Sequence, residues 1–96
     1  MNYKIKQIKD IKNCSYSFRF WSYAKDKLSL DDYETVYEGT IDSRNKSPEQ
    51  VAEELFIIFN TRHPEGFVGH SLSISDIVEL DGVNYYCDID SWEKID

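Results

Sequence analysis

The chain predicts an α+β fold, a mostly antiparallel sheet of about four to five strands packed on one main amphipathic helix at about residues 48–60, with a terminal Asp-Gly hairpin. Three observations carry this expectation. Period-two alternation of apolar and polar residues recurs toward both ends of the chain, one broad apolar stripe of three- and four-residue spacing stands between them, and Asp81-Gly82 joins two β-rich runs.

The first strand is expected at Tyr3–Lys9, where Tyr3 and Ile5 alternate with lysines that would protect an exposed edge. Tyr16, Phe18 and Phe20 alternate in one register and predict a second strand that breaks at Trp21. Ser22–Leu28 suits a short helix capped by Ser22, with Tyr23 and Leu28 as anchors. Tyr33–Ile41 is rich in β-branched and aromatic residues, with Gly39 marking a bulge or a close approach. The central helix has the clearest start. Ser47 stands as N-cap, Pro48 at the first helical position and Gln50 at the third, and Glu49, Glu53 and Glu54 complement the positive end of the helix dipole. Val51, Ala52, Leu55, Phe56, Ile58 and Phe59 form the apolar stripe, and Asn60 is the expected stop. Thr61–Gly69 is expected to be irregular because of Pro64, Gly66 and Gly69. Ser71-Leu-Ser-Ile-Ser75 alternates, which would place Leu72 and Ile74 on one side if extended. Ile77–Leu80 and Val83–Cys87 flank a turn that requires positive φ. Ile89, Trp92 and Ile95 could return to the sheet.

At 96 residues the chain is read as one domain, residues 1–96, with one core. Hydrophobic residues make up 41% and aromatics 15%, enough for a packed interior without staples. Cys14 and Cys87 lie far apart and outside any CxxC spacing, so neither a metal knuckle nor a disulfide framework is implied. No apolar stretch approaches the roughly 20 residues needed to span a bilayer, and the N-terminus lacks a signal-peptide core. A soluble, cytoplasmic protein without membrane association is expected.

The formal net charge of −7 is unevenly spread. Residues 1–30 hold seven basic side chains against Asp10 and Asp26, a balance of +5, whereas residues 31–96 hold four against sixteen carboxylates, a balance of −12. A mainly negative surface repels phosphates, so direct nucleic-acid binding is not expected, and an acidic face could instead dock on a basic partner.

His70, Ser71 and Asp76 supply the residue types of a hydrolase triad. The surrounding Gly69-His-Ser-Leu-Ser73 lacks the final glycine of the nucleophile elbow, however, and adjacent residues of an extended chain point apart. Hydrogen bonding of these side chains to loop backbone is the favoured reading. His63 and His70 have no recognised ligand spacing, so no metal and no cofactor are expected. Among the aromatics, the neighbours Phe20-Trp21 and Tyr85-Tyr86 cannot all point inward from strands, so some exposed rings are expected as interface anchors.

With these residues read, Phe59-Asn60, His63-Pro64, the run Gly69-His-Ser-Leu-Ser-Ile-Ser-Asp-Ile-Val78 and the Tyr85-Tyr86 hairpin resemble the signature of the YodL-like domain. Tyr37-Glu-Gly39 and the amphipathic helix extend the resemblance over nearly the whole chain. The resemblance assigns Asn60, His63, Pro64, Gly69, His70, Ser71, Ser73, Ser75 and Asp76 to the motif loop. It departs from the family pattern after the last motif strand, where Asp88-Ile-Asp-Ser-Trp92 replaces a glycine-aromatic step. Such domains occur as small proteins or as parts of large polyvalent proteins in Gram-positive bacteria, phages and conjugative elements, and no general enzymatic activity attaches to them. Small size, acidity and the mobile-element distribution that the resemblance implies together lead us to expect a non-enzymatic protein-binding module of a phage or mobile element that inhibits a bacterial host protein, with a basic nuclease effector (anti-CRISPR action) as the sharper form. A regulatory module acting on a host cytoskeletal or replication protein is the alternative. Glu79, Asp81, Tyr85, Asp88, Asp90, Trp92 and Glu93, grouped around the hairpin in sequence, are the expected partner contacts.

Overall fold

A computed structural model describes residues 1–95. The elements are β1 (Asn2–Ile8), α1 (Trp21–Ala24), a single 3-10 turn at Leu30–Asp32, β2 (Tyr33–Thr40), α2 (Pro48–Thr61), β3 (Ile77–Leu80), β4 (Val83–Cys87) and β5 (Trp92–Ile95). The strands form one five-stranded sheet in the order β2-β1-β3-β4-β5, antiparallel at every pairing. The predicted α+β class is therefore the observed one, with α2 as the main helix. Among the described residues no helix is long and apolar enough to cross a membrane.

Alternation in β1 explains how the sheet is covered. Tyr3 and Ile5 point to the α2 side and pack in one cluster with Val51, Ala52, Leu55 and Phe59. Ile8 enters a second cluster with Tyr33, Ile77 and Tyr86, closed by Tyr16 and Ala24 of the segment between β1 and β2. The sheet is thus the middle of three layers, with α2 on one face and residues 11–32 over part of the other. Of the neighbouring aromatics Phe20-Trp21 and Tyr85-Tyr86, among which some exposed rings are expected, Phe20 is exposed and the two tyrosines are not. Tyr85 and Tyr86 point to opposite faces of β4, and both are buried because both faces are covered.

The capping box of α2 is complete, with Gln50 N–H donating to Ser47 Oγ and Ser47 N–H donating to Gln50 Oε1. At the hairpin Asp81 and Gly82 take φ of +46° and +89°, as a two-residue turn matched to strand twist requires. Gly39 marks a close approach: a side chain there would meet the Tyr3 ring. The β1–β2 irregularity falls at Val36 instead, the extra residue between Tyr37 opposite Ile5 and Thr35 opposite Lys6.

Three local expectations are corrected. Tyr16–Phe20 is not a strand but a series of turns, with Phe18 at φ +60°, because its backbone closes on itself through Ser17 N–H to Cys14 O and Arg19 N–H to Tyr16 O. The short helix begins at Trp21, and Ser22 does not cap it. The Trp21 N–H donates to Asp88 Oδ1 at 3.2 Å, so a carboxylate beyond the end of β4 does the capping. Finally, Ser71–Ser75 is not extended. Asp76 Oδ2 accepts the Ser73 N–H at 2.9 Å and Asp76 N–H donates to Ser73 O, which folds the chain into a turn with Ser75 at φ +83°. Leu72 and Ser75 are buried there, whereas Ile74 is only half-buried.

Candidate functional site

The serine loop is held by two side-chain amides. Gln7, in the inward register of β1 after Tyr3 and Ile5, is 2% exposed. Its Nε2 donates to His70 O at 2.8 Å and its Oε1 accepts the His70 N–H at 3.2 Å. Asn60, near the end of α2, repeats the arrangement: Nδ2 donates to Leu72 O at 3.0 Å and Oδ1 accepts the Leu72 N–H at 2.7 Å. Each amide supplies one donor and one acceptor to a single residue, as a neighbouring strand would. Gly69 lies so close that any side chain there would collide with Gln7 Oε1. Pro64 O accepts the Phe67 N–H, and the Phe67 ring then packs edge-on to Phe59 at 5.0 Å between centroids, with His63 tilted against it at 5.4 Å.

Asp76 lies beneath this loop, 2% exposed, accepting from Gln7 Nε2 at 3.1 Å as well as from Ser73 N–H. Burial pushes its carboxyl up to about 6, against the lowering effect of those two hydrogen bonds and of His70. Ser75 spends both its oxygens on structure: Oγ accepts the Phe18 N–H at 3.0 Å and the carbonyl accepts the Tyr33 hydroxyl at 2.6 Å. The Ser73 hydroxyl is buried without a hydrogen-bond partner among the described residues. His70 Nδ1 sits 2.7 Å from Ser71 O and 3.3 Å from Gln7 Nε2, engaged with backbone and amide and not with a serine hydroxyl. The nucleophile-to-base contact that the hydrolase reading requires is not made. Among the described residues no group of three or more His, Cys, Asp or Glu is placed to hold a metal ion.

The acidic residues expected to act together divide. Asp88 and Asp90, with the edge of Trp92, border a groove of about 370 Å³ whose other wall is Glu53 and Phe56 of α2, and Ile89 stands at its lip, 63% exposed. Trp92 itself is buried, its indole N–H donating to Glu53 Oε1 at 3.1 Å, so it forms floor and not a projecting anchor. Tyr85 is likewise buried, under α2. Glu93 accepts the Ser91 hydroxyl beside the groove. Glu79 is on the opposite face of the sheet, paired with Lys6 at 2.8 Å. Asp81 is tied into the hairpin turn, where Oδ1 accepts the Asn2 N–H at 2.8 Å. The division is geometric: Asp81 and Asp88 sit at opposite ends of β4, separated by roughly 3.3 Å per residue of strand. Nearness in sequence around a hairpin therefore did not mean nearness in space.

Sequence reasoning missed Gln7, Glu53, Phe56 and Ile89. Gln7 had a usable signal, a polar residue in the inward register of a strand, which must find partners when buried. Glu53 and Phe56 lie three apart on α2 and so share a face, but their meeting with Asp88 and Asp90 depends on where the helix lies on the sheet.

A compact α+β domain with an irregular loop pinned to its sheet is the class these features define. The family model for the YodL-like domain matches residues 2–96, and the chain belongs to that family. No curated protein and no solved structure matches the chain.

Proposed function

We propose that the chain is a non-enzymatic protein-binding module of a phage or mobile element, acting in the cytoplasm to inhibit a bacterial host protein through its acidic groove. The observation that carries this reading is the groove between α2 and the β4–β5 turn. Three carboxylates, Glu53, Asp88 and Asp90, line a concavity of about 370 Å³ together with the apolar atoms of Phe56 in its wall and Ile89 at its lip. Apolar atoms beside like charge suit a basic surface carrying an apolar anchor, because the charge steers encounter while the apolar contact gives residence. The sharper form of the proposal is anti-defence, with a basic nuclease effector of a CRISPR system as the partner. The serine loop favours no catalytic role, since His70 and Asp76 are bonded to backbone and to Gln7 and no serine hydroxyl meets the imidazole.

The test is capture of host proteins by the purified chain at low micromolar concentration, followed by affinity measurement with whatever is captured. The expected result is a basic protein whose binding weakens with salt and falls by about tenfold or more when Asp90 and Glu53 become lysine. Equal affinity of the lysine variant would overturn the groove as the contact surface. Capture of a cytoskeletal or replication protein in place of a nuclease would replace the anti-defence form with the regulatory one.

A further inference from the structure

Beside the acidic groove lies a surface of opposite character. Tyr23 of α1 is 39% exposed and carries two cations on its ring, Lys27 Nζ at 4.0 Å and the Arg19 guanidinium at 4.8 Å from the centroid. Lys25 is exposed nearby, and Asp26 is the carboxylate interleaved in sequence. None of Arg19, Lys25 and Lys27 pairs with a carboxylate among the described residues. Phe18 and Phe20, each 51% exposed, extend the patch. Of the seven large hydrophobic residues left exposed, four (Phe18, Phe20, Tyr23 and Leu30) lie in this segment and a fifth, Ile89, on the adjoining groove. Such concentration of apolar exposure marks an interaction surface.

The two surfaces share a border. Trp21 N–H donates to Asp88 Oδ1 at 3.2 Å and the Tyr86 hydroxyl to Arg19 O at 2.6 Å, so the basic segment starts where the acidic groove ends. The two patches come from opposite layers and meet at the end of the sheet where β4 gives way to β5. Oppositely charged patches that meet there can be self-complementary about a two-fold axis through that end: each copy sets its cationic aromatics on its partner's carboxylates, and the pair closes. We propose that the chain forms a weak two-fold dimer in which Arg19, Tyr23, Lys25 and Lys27 of each copy, with Phe20 beside them, face Glu53, Asp88 and Asp90 of the other. Nucleic acid and anionic membranes would be drawn to the same cations, but both would meet the −12 balance of residues 31–96, which the second copy uses as its complement. The dimer would cover the groove assigned above to a host protein. The inference does not rest on that assignment, since no host protein enters its test.

Sedimentation velocity of the full chain over a wide concentration range tests it. The expected result is a concentration-dependent dimer at about 50 mM salt whose dissociation constant rises by about tenfold or more at about 500 mM. Two charge-reversed variants separate surface effects from misfolding, K25E/K27E and E53K/D90K, each checked for native circular dichroism. Each alone should be monomeric, because both of its patches then carry like charge, whereas a one-to-one mixture should restore a mixed dimer. A wild-type chain that stays monomeric at low salt, or variants that fail to combine, would overturn the proposal. So would patch-dependent binding of a single-stranded oligonucleotide by a protein that remains monomeric.

Discussion

Asp76 carries a conflict that its neighbours only partly relieve. A buried carboxyl raised from 3.8 to about 6 binds its proton more tightly in the folded chain than in the unfolded one. Its contribution to stability is therefore greatest below its unfolded pKa and is lost as pH climbs through about 6, and a gap of that size corresponds to about 2–3 kcal/mol. Asp76→Asn keeps an oxygen for Gln7 and the Ser73 N–H while removing the charge. Urea unfolding across pH 4 to 8 should show the variant gaining on the wild type as pH rises, by about 2–3 kcal/mol at neutrality. A constant difference between the two profiles would mean that Asp76 does not titrate in this range. Gly69 carries a steric constraint beside it. Gly69→Ala should displace Gln7 from His70 and cost about 1–3 kcal/mol, measured as a lowered urea midpoint.

The serine loop shows how a segment without regular structure is fixed by two neighbours. Asn60 belongs to α2 and Gln7 to β1, and each gives the loop one strand-like pair of bonds. Asn60→Ala should leave α2 folded, because its capping box and apolar stripe are untouched, while the Leu72 amide loses its acceptor. Hydrogen exchange should then speed at Leu72 and its neighbours, by about tenfold for each 1.4 kcal/mol of local stability lost, with the amides of α2 unchanged. The helix itself was legible in the sequence because cap, first-turn charge and apolar period agree over fourteen residues. The hairpin was legible because Asp-Gly has few other uses between β-rich runs. The Tyr16–Phe20 alternation misled because period two records only the spacing of apolar residues. Only Tyr16 of that run is buried; Phe18 and Phe20 remain in solvent. The groove was half legible: Asp88 and Asp90 are local to one turn, whereas Glu53 and Phe56 reach them only through tertiary packing.

Two apolar clusters on opposite faces of one sheet share its backbone, so neither can be dismantled without the other. The aromatic hydroxyls reinforce the outer cluster: Tyr16 donates to the Asp32 carboxylate and to Ser29 O, Tyr86 to Arg19 O, and Tyr33 to Ser75 O in the serine loop. Burial raises all three tyrosines well above the usual phenol range, which keeps them neutral donors under any physiological condition. Each face of the sheet has one tryptophan packed on it, Trp21 against Tyr86 at 5.0 Å and Trp92 against Phe56 at 6.3 Å. Trp21→Phe and Trp92→Phe therefore make single-tryptophan reporters of the two faces. In each variant the fluorescence transition in urea should coincide with that followed by far-ultraviolet circular dichroism. An earlier loss of Trp21 fluorescence would show the covering segment peeling from a sheet that persists.

The paired amides of Gln7 and Asn60 hold the loop at the main chain of His70 and Leu72 and make no hydrogen bond to the side chains of Val68 or Ser71. Val68 is 83% exposed and Ser71 is also in solvent, so their side chains can be exchanged without loosening either grip. The fold thus separates anchoring from display: a fixed frame presents a short replaceable sequence, and new recognition could be written onto Val68 and Ser71 without rebuilding the domain that carries them.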